Sequence, residues 1–355
     1  MVRQKALVVG ATGIVGSALI QQLLQEGWEV HGLARRPASL PAGAHGVSAD
    51  LRDAQATRKA LCGLAPTHVF ITTWSRQANE AENIRVNAAM VRHLLDAVQP
   101  AGTVQHVALV TGLKHYLGPF EAYAQGNLPQ TPFREEQPRL PVDNFYYAQE
   151  DEVFAAAARD GFHWSVHRPH TVIGAAVGNA MNMGTTLAVH ATLCRHTGRP
   201  FQFPGSRAQW EGVTDMTDAG VLARHLLWAT QTPAAANQAF NVVNGDVFRW
   251  RWMWGRIAAW FDIEAVPFSG EVQPLAVQMA NDAAPWSALA ATHGLAEPDI
   301  HRLISPWHTD ADLGRPLEVI TDMSKSRRMG FLDYQPSDDA FFALFARLRA
   351  ARLIP

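Results

Sequence analysis

The stretch Gly10-Ala-Thr-Gly-Ile-Val-Gly16 follows directly on the apolar run Ala6-Leu-Val-Val9. It opens a segment, 14–25, in which Val15, Ala18, Leu19 and Leu23 recur at helical spacing. A strand, a glycine-rich turn and a helix in that order make a cradle for a dinucleotide. The first glycine permits the tight turn, the second lets backbone approach the pyrophosphate, and the third lets helix pack on strand. The helix N-terminus adds unbonded N–H groups and the positive end of its dipole. The residues of this turn expected against the ligand are Gly10, Thr12, Gly13, Ile14, Val15 and Gly16.

Outward from this turn, short apolar runs alternate with amphipathic ones. Strands are expected over 29–34, 46–50, 68–73, 105–111 and 163–168, with helices over 54–62, 80–98 and 145–160. Such alternation, with short connections, predicts a parallel sheet covered by helices on both faces. The fold class is therefore α/β: a Rossmann-like doubly wound parallel sheet with a smaller, mainly helical C-terminal substrate lobe. Residues 1–174 form the dinucleotide-binding domain, including an irregular active-site loop over 112–143 that is rich in Pro, Gly, Gln and aromatics. Residues 175–355 form the second lobe, with helical patches over 187–196, 219–230, 252–260 and 338–350, and about 238–248 returning to the main sheet.

The composition excludes several classes. With 48% hydrophobic and 17% charged residues the 355-residue chain is globular, and 30 basic against 32 acidic residues leave a net charge of -2. No global field favours nucleic acid or an anionic membrane, so neither is expected as a partner. Two cysteines, Cys62 and Cys194, are neither a disulfide framework nor a metal-ligand set, which fits a reducing cytoplasm. No apolar stretch is long enough for a signal core or a span. The histidines, among them His115, His167 and His170, are not spaced as metal ligands. Of the 11 tryptophans, most are expected to be packing residues.

The spacing Gly-x-x-Gly-x-x-Gly resembles the short-chain dehydrogenase/reductase superfamily in its extended form. The second strand runs into Leu33-Ala-Arg-Arg-Pro37, where an NAD enzyme places an acidic residue against the ribose hydroxyl. Arg35 and Arg36 instead suit a 2′-phosphate, which guanidinium grips in a bidentate, charge-assisted way. The expected cofactor is NADPH/NADP+. The resemblance implies that Asp50 and Leu51 hold the adenine.

That superfamily carries Tyr-x-x-x-Lys on the helix after the fifth strand, the lysine lowering the tyrosine's pKa. Here the helix begins Asn144-Phe-Tyr-Tyr-Ala-Gln-Glu-Asp151, so four residues on from Tyr147 stands an aspartate. A replacement lysine is available in Thr111-Gly-Leu-Lys-His-Tyr-Leu-Gly-Pro-Phe120, at the carboxyl edge of the sheet where ligands bind in open α/β folds.

These two segments resemble the progesterone 5β-reductase/iridoid synthase-like enone reductases. The similarity continues through Trp164-Ser-Val-His-Arg-Pro169, Trp210-Glu-Gly212, Asn244-Gly-Asp-Val-Phe248 and Met323-Ser-Lys325. It implies NADPH-dependent 1,4-reduction of the C=C bond of α,β-unsaturated ketones or aldehydes, with hydride passing to the β-carbon. Tyr147, preferred to Tyr146 because it falls on the superfamily's tyrosine position, and Lys114 would stabilise the enolate and touch the cofactor. Thr73, Val110 (through backbone), Val172 and Ile173 are implied at the cofactor. Trp74, Tyr116, Phe120, Met181 and Met183 are expected around a small apolar steroid, terpenoid or cyclic enone.

Two other functions compete with this one. An extended-family epimerase or dehydratase on a nucleotide sugar would want an intact Tyr-x-x-x-Lys. A non-catalytic NADP(H)-sensing protein would have no use for both a tyrosine and a relocated lysine. Relatives with this architecture are often dimers, and a homodimer is left open because no interface pattern is visible.

Overall fold

In a computed structural model of the chain, which describes residues 4–37, 40–118, 129–178 and 181–355, seven parallel strands form one sheet. Six of them come from the first half: β1 (Lys5–Val9), β2 (Glu29–Ala34), β3 (His45–Ser48), β4 (His68–Ile71), β5 (His106–Val110) and β6 (His163–Pro169). The seventh, Gln238–Val242, pairs with β6 and returns the second half of the chain to the sheet edge. The order is Gln238–Val242, then β6-β5-β4-β1-β2-β3, so the direction of winding reverses at β1. That reversal opens a crevice beyond the carboxyl ends of β1 and β4.

The pleat explains the continuous apolar runs. In β1, Ala6 and Val8 face one layer, made of α1 (Ile14–Gln25) and the helix Ala219–Gln231. Leu7 and Val9 face the other, made of α2 (Ala54–Leu61), α3 (Glu80–Val98) and α5 (Phe145–Asp160). Both faces of β1 beyond Lys5, and of β4, are then buried, while the edge strand β3 keeps His45 and Ser48 exposed. Local chemistry sets the helix ends. Asn79 and Asn144 cap α3 and α5 through their side-chain oxygens, and Gly161 ends α5 at φ 79°.

The C-terminal lobe has its own core, built from α6 (Met183–Thr197), Trp250–Phe261 and Ser337–Ala350 around Phe201, Trp254, Phe341 and Phe345. Trp254 and Trp286 are fully buried, as packing residues should be. The helix Pro306–Leu313 was not among the expected patches. It buries Thr309, Asp312 and Leu313 rather than an apolar stripe, so periodicity is silent there. Of the loop 112–143, residues 114–117 form a single helical turn, α4 (Lys114–Leu117). No helix among the described residues is long and apolar enough to cross a membrane.

Candidate active site

The glycine turn lies where it was expected, between β1 and α1, and its geometry demands glycine. Gly10 has φ 89°, and a Cβ on it would come within 2.8 Å of the Thr73 Cβ. A Cβ on Gly16 would meet the Gly10 carbonyl oxygen at 2.2 Å, so Gly16 shapes the turn from behind without lining the cleft. Gly13 is the N-cap of α1 and no side chain occupies that cap, which leaves the helix N-terminus open to an anion.

Over this turn runs a cleft in two connected halves, of about 500 and 330 Å³. Gly13, Thr73, Trp74, Met181 and Trp307 border both. The larger half takes in Gly10, Thr12, Arg35, Asp50 and Leu51. Arg36 is exposed and outside it, because the chain bends after β2 and presents only the first arginine to the cleft. Sequence reasoning missed Arg52, which grips Asp50 through two nitrogens, Nη2 to Oδ2 at 2.6 Å and Nε to Oδ1 at 3.0 Å. That hydrogen bonding holds the Asp50 carboxyl below the usual carboxylate range. These groups make a chamber that fits the adenosine end of a dinucleotide, with Arg35 at the end of β2 and Asp50, held by Arg52, within reach of its charge.

The smaller half holds Ile14, Val15, Val110, Lys114 and Val172. Ile173 is one residue beyond and points the other way, fully buried in the core of the second lobe. The Lys114 ammonium lies 2.9 Å from Oε2 of Glu80, and 4.7 Å from the centre of the Phe145 ring. Trp74 stacks on the other partner of that cluster, its ring centre 5.0 Å from that of Phe145.

The tyrosine expected here requires correction. Tyr147 is buried away from the cleft, its hydroxyl donating to the His115 carbonyl at 2.7 Å and accepting from the Leu140 amide at 2.9 Å. Burial pushes its pKa up. Tyr146 lines the cleft instead, with its hydroxyl beside the carboxyl end of β5, 3.3 Å from where a Cβ on Gly112 would stand. Four residues on from Tyr146 is Glu150, buried and paired with Arg139 at 2.8 Å and Arg168 at 3.4 Å. A carboxylate between two guanidiniums thus stands one helical turn beyond the tyrosine that lines the cleft.

Two of the expected substrate residues are also elsewhere. Tyr116 is packed under the site, stacked on Phe133 and donating to Asn241 at 2.7 Å, with its pKa pushed up to about 12 by burial. Met183 is in the second lobe's core. Trp74 and Met181 do border the cleft, while Phe120 lies outside the described residues.

The far wall comes from a region no sequence signal pointed to. Trp307 and His308 open the helix Pro306–Leu313, and Arg76 stacks on Trp307 with its guanidinium carbon 3.7 Å from the ring centre. Behind them, Arg315 donates to Nε2 of His170 at 2.7 Å, which leaves Nδ1–H of His170 to donate to Asp215 at 2.8 Å. Arg315 also pairs with Asp312, which accepts from Thr171 at 2.7 Å. Burial works to raise the Asp312 carboxyl, but the Arg315 guanidinium beside it, helped by the Thr171 hydrogen bond, outweighs it and the carboxyl sits below the usual range. Burial pushes the His308 imidazole below its ordinary pKa.

Residues 6–243 match the family described as NAD dependent epimerase/dehydratase. The whole chain aligns with the 3-oxo-Δ4,5-steroid 5β-reductase of Arabidopsis thaliana, 37% identical over 99% of this chain and 93% of that protein. The chain belongs to this family, in its progesterone 5β-reductase/iridoid synthase-like branch. The (S)-8-oxocitronellyl enol synthases of Camptotheca acuminata and Catharanthus roseus are 35% and 36% identical to it, again over 99% of the chain and 93% and 92% of theirs. It is accordingly a nicotinamide-dinucleotide-dependent oxidoreductase of that branch. Solved epimerases share the fold alone: one from Methanothermobacter thermautotrophicus has a TM-score of 0.71 at 16% identity over 98% of this chain and 93% of that one. A putative epimerase from Burkholderia cenocepacia has a TM-score of 0.69 at 18% identity over 98% and 99%.

In this branch member Glu80 was legible in principle. It is the first residue of α3, and a helix that follows a strand starts at the ligand edge of the sheet. The wall around Trp307 was not, since it comes from the far half of the chain and no local pattern ties it to the glycine turn.

Proposed function

We propose that the protein reduces the C=C bond of an α,β-unsaturated ketone or aldehyde with NADPH. The observation that carries this reading is the meeting, at one cleft edge, of Lys114 after β5 and Tyr146 at the start of α5, above an open helix N-terminus. A bound reduced nicotinamide would supply the hydride to the β-carbon of the enone. The chain's own part is to hold the carbonyl oxygen as charge builds on it. The Tyr146 hydroxyl and the Lys114 ammonium are the donors available for that, in a cleft walled by Trp74, Phe145 and Trp307. Preorganised donors of this kind typically contribute two or more powers of ten each.

The preference for NADPH rests on Arg35 at the end of β2, in the half of the cleft that fits adenosine. The substrate class rests on the names of the relatives and on an aromatic wall suited to a flat, conjugated molecule. The test is loss of NADPH absorbance with 2-cyclohexen-1-one, progesterone and 8-oxogeranial. Consumption with at least one enone is expected. A protein that binds NADPH and oxidises it with none of the three refutes the reading.

A further inference from the structure

We infer that Glu80 is a positioning residue for this reduction, holding the Lys114 ammonium at a set distance from the turn of helix that carries Tyr146. The inference rests on the roles proposed for Lys114 and Tyr146, and on contacts that join three elements at one carboxylate. Oε2 of Glu80 accepts from the Lys114 ammonium at 2.9 Å. Oε1 accepts from the backbone N–H of Phe145, the first residue of α5, at 2.8 Å. The Asn83 side chain donates to Oε2 at 3.1 Å and keeps the carboxylate from turning.

The same helix start is tied to Lys114 a second time. Asn144, the cap of α5, donates from its side chain to the Lys114 carbonyl at 2.9 Å and accepts from the Tyr146 N–H at 3.0 Å. The backbone of Lys114 is therefore fixed by Asn144, and its head group by Glu80. Without Glu80 the flexible four-carbon stem loses the 2.9 Å hydrogen bond that fixes its head group and keeps the weaker contact of Nζ with the Phe145 ring. An ammonium has three N–H groups, so the one given to Glu80 leaves two for a substrate oxygen, a ribose hydroxyl or the tyrosine. Both side chains of the pair are largely shielded, at 15% and 19% exposure, which keeps the contact from being a screened surface pair.

The carboxylate also explains how a lysine outside the usual helix can serve the same tyrosine. In Tyr-x-x-x-Lys, one turn of helix sets the spacing between the two groups. Here Lys114 and Tyr146 are on different elements, and Glu80, from a third, sets the spacing.

The test compares Glu80→Ala and Glu80→Gln with the parent enzyme. Glu80→Ala is expected to lower kcat for 2-cyclohexen-1-one at least about tenfold, with KM for NADPH within about threefold and the number of NADPH-binding sites per chain unchanged. Glu80→Gln keeps one acceptor oxygen, enough for Lys114 or for the Phe145 N–H but not for both, and should recover kcat to a value between those of Glu80→Ala and the parent. A second readout needs no turnover: reductive methylation of Lys114, followed by peptide mass spectrometry, should be severalfold faster in Glu80→Ala. The inference is overturned if Lys114 labels equally in both proteins, if the fall in kcat matches a fall in binding sites, or if Glu80→Gln is no faster than Glu80→Ala. A parent enzyme that reduces no enone would refute the proposed function, and the labelling contrast would still decide whether Glu80 holds the lysine.

Discussion

The hydroxyl of Tyr147 donates to the carbonyl oxygen of His115 at 2.7 Å, so this tyrosine braces α5 against the turn that carries Lys114. Its neighbour Tyr146 is the one on the cleft. The two substitutions to phenylalanine should therefore separate cleanly. Tyr146→Phe is expected to cut kcat about 100-fold or more at unchanged stability. Tyr147→Phe leaves the buried His115 carbonyl and Leu140 amide without their partner, and should cost about 1–2 kcal/mol of unfolding free energy while kcat per folded molecule stays within about threefold. Steady-state kinetics and urea denaturation on both variants check this, and the reverse pattern would return the catalytic role to Tyr147.

The arginines at the end of β2 should behave unequally as well. Arg35 borders the cleft and Arg36 does not. Arg35→Ala is expected to raise KM for NADPH about tenfold or more with little change for NADH, since only the former has a 2′-phosphate to lose. Arg36→Ala should move either value by no more than about twofold. Equal weakening of both cofactors by Arg35→Ala would remove the phosphate contact.

Two glycines provide a contrast in backbone demand. Gly16→Ala drives a methyl group against the Gly10 carbonyl, with 2.2 Å available, and backbone cannot move aside as a side chain can. A loss of about 3 kcal/mol and of NADPH binding is expected, measured by denaturation and fluorescence titration. Gly255, in the helix Trp250–Phe261, has nothing within 4 Å of its missing Cβ, and Gly255→Ala should stabilise by about 0.5–1 kcal/mol.

Stability should fall with acid in a way set by histidines rather than carboxylates. Burial lowers His68 to about 4 and His106 and His225 to about 3, from an ordinary value of 6.5. Each is neutral in the fold and takes up its proton near pH 6.5 once unfolded. Their contribution is intact above pH 6.5 and drains away as pH falls from there towards 4 and 3, by about 1.4 kcal/mol per pH unit for each histidine. The urea midpoint should drop markedly between pH 7 and pH 5. His68→Phe, which removes one of these buried histidines, should make that drop shallower. A midpoint independent of pH across this interval would contradict the assignment.

The sheet was legible because burial on both faces leaves an unmistakable mark, apolar runs such as Ala6 to Val9 with glycine punctuation after them. Lys114 and the glycine turn were legible because ligands sit at the carboxyl edge of such sheets, and both follow strands. Tyr146 was not, because consecutive residues on a helix point about 100° apart and nothing in Phe-Tyr-Tyr says which faces the crevice. Tyr116 and Met183 misled for a related reason: an aromatic or a methionine suits a core as well as a pocket, and here Asn241 and the second lobe claim them. Trp307, His308 and Arg315 come into the site only through tertiary packing, without a local pattern to announce them.

Glu150 has a consequence for what α5 can tolerate. Buried between Arg139 and Arg168, it stands one helical turn beyond Tyr146. A lysine at this position would set three cations side by side with the carboxylate between them gone, at a cost of several kcal/mol. One substitution therefore cannot place a lysine a turn beyond Tyr146. The two guanidiniums would have to change with it, so this face of α5 is committed to a carboxylate.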